Sequence, residues 1–161
     1  MAQLVRAEPE AVTDGQASLI VTVGAYTAGD VIGGLLKFPN AFNSLPGKGE
    51  LRGVTLFDNA KQAKALTLFL YKSAPSTIAD NAAFDPSAAD ARLLVAQVPL
   101  VAHKNYSGAT IGYTYAANIA IPVWAEGSDG QALFAYLVAD VAPTYAAPDD
   151  LTLRLLILQD G

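Results

Sequence analysis

Turn-forming residues recur at short intervals along this chain: Asp14-Gly15, Ala28-Gly29-Asp30, Pro39-Asn40, Pro46-Gly47, Asp58-Asn59, Ser107-Gly108, Gly127 to Gly130 and Pro148-Asp149-Asp150. Gly supplies left-handed backbone, Pro withholds an amide donor, and Asp and Asn bond their own backbone, so each cluster interrupts helical periodicity. The runs between them are rich in Val, Ile, Leu, Thr, Tyr and Phe, residues that fit a pleated, half-buried surface. The pattern predicts strands near 3–6, 17–24, 30–38, 50–57, 65–72, 92–99, 110–115, 118–125, 131–139 and 151–159.

The runs differ in how they are covered. Leu19, Val21 and Val23 alternate with Ser18, Ile20 and Thr22, as in a strand with one solvated face, whereas Leu66-Thr67-Leu68-Phe69-Leu70-Tyr71 is apolar on both faces and suits a central strand covered twice. Pro122 cannot donate to a ladder, which places Ile119 to Trp124 at an edge or a bulge. The run from Leu151 to Gln159 sets Leu151, Leu153, Leu155 and Ile157 on one face at the end of the chain. Chain ends fray unless tied down, so this run belongs in a sheet or at a subunit boundary. The glycines between Gly24 and Gly34 read as hairpin and bulge positions. One short helix is expected at 86–91, capped by Asp85 ahead of Pro86. The fold class is therefore all-β: a β-sandwich of jelly-roll or Greek-key type with about 8–10 strands and at most one short helix. The chain of 161 residues reads as a single domain with a short N-terminal arm over about residues 1–10.

Composition narrows the function. The chain is 52% hydrophobic and 16% charged, against about 45–50% and about 25% in ordinary soluble domains. Such a surface suits a subunit that hides part of itself against neighbours. Net charge is −5 and the ten Lys and Arg residues are scattered singly, so direct nucleic-acid binding is not expected. Cysteine is absent, which removes disulfide and thiolate chemistry. No apolar run reaches the ~20 residues of a membrane span, and Met1 to Glu8 lacks the plan of a signal peptide.

Chemistry-bearing constellations are sparse. His103, the single histidine, lies in a polar run with no nucleophile elbow near it; a triad with Ser107 or Ser128 is allowed by spacing but suggested by nothing else. Asp80, Asp85 and Asp90 could place oxygen ligands around calcium, but the spacing lacks the density and distal Glu of a calcium loop. Turn formation and helix capping account for all three. Carboxylate pairs for glycan hydrolysis, such as Glu50 with Asp58 or Glu126 with Asp140, have no supporting motif. The aromatics Tyr106, Tyr113, Tyr115, Trp124, Tyr136 and Tyr145 could stack on sugars or anchor a core or interface, the second being the commoner use. No phosphate loop is present: Gly47-Lys48-Gly49 lacks both the upstream Gly and the following Ser or Thr. No cofactor, metal or catalytic residue is expected.

Four blocks in order, Val21 to Leu35, Leu51 to Asp58, Leu66 to Leu70 with Ala79 to Phe84, and Leu151 to Arg154, resemble small structural proteins of tailed bacteriophages, most of all the capsid decoration or cement proteins. The resemblance implies a non-enzymatic virion protein on the capsid surface, held in the host cytoplasm before assembly. It implies two partners, the major capsid protein and other copies of the chain, with a trimer favoured over a dimer. The assembly interface expected on this reading comprises Leu4 and Val5 of the N-terminal arm, Trp124 at the proline-bearing edge, and Leu151, Leu153, Leu155 and Ile157 of the C-terminal strand, both termini serving for strand exchange or addition. Two other classes stay open beside it: a carbohydrate-binding module of a head or tail fibre, and a small glycan hydrolase.

Overall fold

The computed structural model describes residues 2–11, 19–101, 103–105, 112–116, 119–128 and 130–159. In chain order the elements are β1 (Gln3–Ala7), β2 (Glu10–Ala11), β3 (Gly24–Ala25), β4 (Val31–Phe38), β5 (Lys48–Asp58), β6 (Leu66–Tyr71), α1 (Ala88–Ala91), β7 (Leu94–Leu100), β8 (His103–Asn105), β9 (Gly112–Ala116), β10 (Ile121–Trp124), β11 (Leu133–Ala139), β12 (Thr144–Tyr145) and β13 (Leu151–Gln159). The fold is all-β, with antiparallel sheets packed as a sandwich. The first sheet runs β1-β13-β5-β9-β8, with β10 pairing the other end of β5; the second runs β2-β4-β11-β6-β7. A two-stranded ribbon joins β3 to β12. Among the described strands only β6–β7 and β8–β9 pair strands that are consecutive in the chain. The remaining ladders close over long loops, so local propensity alone cannot dictate the order of strands.

Strand alternation builds the core between the sheets. From β5 come Leu51, Val54 and Leu56, from β13 Leu151, Leu153, Leu155 and Ile157, and from the second sheet Ile32, Leu36, Leu68, Leu70, Ala135 and Leu137. The C-terminal strand is not an edge. It pairs with β1 on one side and along the full length of β5 on the other. Its last residue, Gln159, is buried and donates its Nε2 to the Ala41 carbonyl at 2.7 Å.

The second sheet is covered on its outer face as well. β11 is buried along its whole length, and β6 nearly so, matching the two-faced apolar run seen in the sequence. The covering layer is the connection over residues 72–93. Its Phe84 ring lies 4.6 Å from Phe69 and 5.7 Å from Tyr136, and its Ile78 and Leu93 complete an outer cluster with Val31, Leu35, Tyr71 and Phe134. Polar bonds hold the strap in place. Tyr136 donates its hydroxyl to the Ser76 carbonyl and accepts from the Ile78 amide at 2.9 Å. Asp80 accepts from the Thr22 amide and hydroxyl, the Tyr26 hydroxyl and the Gly33 amide, at 2.6 to 2.7 Å. Gly33 and Gly34 have φ of +77° and +71°. They bulge β4 so that Ile32 faces Leu137 and Leu36 faces Ala135, which turns the Gly33 amide toward Asp80 and leaves no room for a Cβ beside Leu19.

Three expectations are corrected. Residues 19–23 form no strand: Leu19 and Val21 are buried as their alternation implies, but the Val21 amide donates to the Pro148 carbonyl and the Thr22 amide to Asp80 rather than to a ladder. The part of that expected strand from 17 to 18 lies outside the described residues. The helix is one turn, Ala88–Ala91, capped by Ser87 and not by Asp85, because Ser87 and Asp90 close a reciprocal capping box. The C-terminal strand lies inside the first sheet, so Leu151, Leu153, Leu155 and Ile157, none more than 2% exposed, face the second sheet of the same chain and are not surface residues.

Candidate docking surface

Alternation that sends Leu153 and Leu155 inward sends Arg154, Leu156 and Leu158 outward. They meet Leu4 and Arg6 of β1, which stand opposite Leu158 and Leu156, and Thr55 and Phe57 of β5, Thr55 directly opposite Arg154 and Phe57 two residues along, opposite Thr152. Leu4 is 55% exposed, while Phe57, Leu156 and Leu158 are half-buried. The Arg154 guanidinium lies over the Phe57 ring at 5.2 Å, a contact that holds the long side chain against the sheet. Arg154 Nε is 3.1 Å from Glu8 Oε1, and Arg6 Nε is 3.4 Å from the same oxygen. Two guanidinium groups thus share one carboxylate, leaving one positive charge in excess on a protein whose net charge is −5. A shallow cavity of about 170 Å³ opens between Arg6, Thr55, Phe57, Arg154 and Leu156. Nearby, Arg52 pairs with Glu50. Among the described residues no strap crosses this face as residues 72–93 cross the other.

The other expected residues are dispersed. Val5 is half-buried, opposite Ile157 in the β1–β13 ladder. Trp124, 38% exposed, sits on β10 and donates its Nε1 to Glu126 at 3.1 Å. Glu126 also pairs with Lys72 at 2.9 Å, and these two partners hold its carboxyl below the usual range. Among the described strands β10 pairs with β5 alone, Pro122 standing opposite Glu50. Of the aromatic platform, Tyr136 and Tyr145 are at most 2% exposed, so they belong to the interior. Tyr106 and the side chains of Tyr113 and Tyr115 lie outside the described residues.

The carboxylate pairs do not converge. Glu50 and Asp58 stand on opposite faces of β5, eight residues and so roughly 26 Å apart along the strand. Glu126 joins Lys72 beyond one end of β6, whereas Asp140 accepts from the hydroxyl of Thr67 at the other. Asp80 and Asp90 are fully engaged in holding the strap and the helix cap, and Asp85 is exposed. Among the described residues no three His, Asp or Glu side chains gather as metal ligands.

One buried polar cluster escapes sequence reading. Asp58, 8% exposed, takes the amides of Gln62 and Ala63 on Oδ2 at 2.7 and 3.2 Å. Asp150 accepts from the Ala146 and Ala147 amides at 2.8 and 2.9 Å. Burial pushes the Asp58 carboxyl above its usual range and the Asp150 charge adds to it, against the pull of the nearby amides. The His103 imidazole is held below its usual range, again by burial, with Asp58 pulling the other way. The Asp58 and Asp150 carboxylates serve as loop anchors at the end of the sandwich.

The sign of the Asp58 effect is testable. The folded chain holds this proton more tightly than the unfolded chain, whose carboxyl titrates near 3.8. Folding therefore takes up a proton between that value and the raised one, and the contribution of Asp58 to stability falls as pH rises through that window. Asp58→Asn removes the titration. Urea midpoints measured at about pH 3 and about pH 7 should shift in favour of the variant, relative to the parent, at the higher pH. A constant difference would refute burial as the dominant influence on this group.

The chain matches no protein-family model and no curated protein sequence.

Proposed function

We propose that the protein is a non-enzymatic virion structural protein that binds and stabilises the exterior of a tailed-phage capsid as a decoration or cement subunit. Its partners on this reading are the major capsid protein and other copies of itself. The observation that supports it is the asymmetry of the sandwich: one outer face is sealed by residues 72–93, while the other presents Leu4, Phe57, Leu156 and Leu158 beneath two arginines. Half-open apolar side chains set in a rigid sheet and rimmed by charge form a surface suited to being covered by another protein. For a cement protein, binding energy is the function. Internal pressure separates capsid subunits, and a clip that binds only the assembled shell raises the pressure at which they part.

A glycan-binding module is less well supported, since two of the six aromatics that could stack on a sugar are inside the core. The described residues contain no helix long and apolar enough to cross a membrane.

The test is to add purified protein to capsids that lack it, with oligomeric state followed by mass photometry. A defined oligomer that binds shells and raises their rupture temperature is the expected result. Protein that leaves rupture temperature unchanged refutes the proposal, and glycan retention that Trp124→Ala abolishes would favour the sugar-binding reading.

A further inference from the structure

A sheet edge is a row of unpaired amides and carbonyls, and proteins blunt it with short strands, prolines or charge. Among the described strands of the two large sheets, four of the five edge strands are blunted. β2 has two residues and β8 three, β7 carries Pro99, and β10 carries Pro122. β1 differs: five residues without proline or bulge and with Arg6 as their single charge, each in register with β13 on one side and with no described strand on the other. On its outer face it presents Leu4 and then Arg6, whose guanidinium shares Glu8 with Arg154. The open edge therefore offers main-chain bonding, an apolar contact and one uncompensated positive charge at fixed spacing.

We infer that the free edge of β1 takes an extended protein segment as an added strand, with an apolar residue beside Leu4 and a carboxylate, two residues away, beside Arg6. Main-chain hydrogen bonds along β1 supply affinity, and the alternating outer side chains supply selectivity. The carboxylate balances the second guanidinium at the point where Glu8 alone is shared. A strand with Lys or Arg in that place meets like charge directly opposite, which is disfavoured. A second copy of β1 fits less well: it brings no carboxylate to Arg6 in a register centred on Val5 and sets Arg6 against Arg6 in a register centred there. The inference rests on reading this surface as a docking face and adds the chemistry of what docks.

The probe is the acetylated, amidated peptide TVTETVT, titrated into isotope-labelled full-length protein and followed by amide chemical shifts. Shifts should concentrate on residues 3–7, with Kd below about 1 mM, and the TVTKTVT analogue should bind at least about ten-fold more weakly. Arg6→Glu, at a side chain 63% exposed, should reverse the preference between the two peptides. Equal binding of both peptides, shifts centred elsewhere, or no binding at that concentration overturns the inference. So does a dimer in sedimentation that Leu4→Lys dissolves, since a second copy then fills the edge. The peptide comparison on unaltered protein decides the matter even where Arg6→Glu fails to fold. No capsid enters the experiment, so its failure is separable from failure of capsid attachment.

Discussion

Asp80→Ala should lower the free energy of unfolding by about 2–4 kcal/mol, a large fraction of the total for a domain of this size. One carboxylate accepts four hydrogen bonds from three distant points: the amide and hydroxyl of Thr22, the hydroxyl of Tyr26 and the bulged amide of Gly33. Bonds to a charged acceptor contribute about 1.5–3 kcal/mol each when buried, but the two from Thr22 are exposed, which keeps the sum well below four times that figure. Removing the acceptor strands the Tyr26 hydroxyl, whose ring is 2% exposed and stacks edge-on against Tyr145 at 5.7 Å. Burial, and after it the Asp80 hydrogen bond, already raise the pKa of that phenol, so it stays protonated and still needs an acceptor. Amides in residues 72–93 should then exchange faster than those of β5 and β13, because the strap loses one of its tethers while the inter-sheet core remains. Asp80→Asn keeps one acceptor oxygen and should lose less than the alanine variant. A urea midpoint for Asp80→Ala within error of the parent would show that the strap is held by its apolar contacts alone.

The second large effect lies at the C-terminal strand. Leu155→Ala should cost about 2–5 kcal/mol, whereas Leu4→Ala should change stability by less than about 0.5 kcal/mol. Leu155 is fully buried between the sheets and stands beside Val54 in the β5 ladder and Ala7 in the β1 ladder, so truncation leaves a cavity that neighbours on three sides cannot close. Leu4 projects outward and is more than half exposed. Removing residues 151–161 altogether should prevent folding, because β1 loses its one partner among the described strands and β5 loses the ladder that spans its length. Circular dichroism and urea titration of the three variants check this directly. If Leu155→Ala proved as stable as the parent and failed only in oligomerisation, the strand would belong to a subunit boundary after all.

Much of this architecture was legible residue by residue. β4, β5, β6, β11 and β13 follow the apolar runs closely because propensity, alternation and flanking turns agree there. Double coverage of β6 could be read from Leu66 to Tyr71, and the edge position of β10 from Pro122. The short strands β2, β8 and β12 passed unseen, since two or three residues carry no period. The stretch 19–23 misled for a different reason. Its alternation reports which side chains are buried, and burial can be achieved by an irregular segment whose amides find partners elsewhere.

The docking surface was only half legible. Once Leu153 and Leu155 are inside, the two-residue period of a strand obliges Arg154 to face out, and the same holds for Arg6 beside Ala7. That Arg6 and Arg154 meet over one glutamate depends on β1 pairing with β13 across almost the whole chain, which no local pattern specifies. The same holds for the strap: Asp80 looks like a turn residue until the fold brings Thr22, Tyr26 and Gly33 around it. Local propensity and a fixed two-residue repeat were enough to set the fold class, the strands long enough to show a period, and the inward or outward sense of each side chain on them, all of which can be read from the residues in order. Strand order, the identity of the sealed and open faces, and the sharing of carboxylates were decided only in the tertiary structure. They depend on contacts between distant segments, whose free energy is set by the summed packing of both sheets and not by any one stretch of chain.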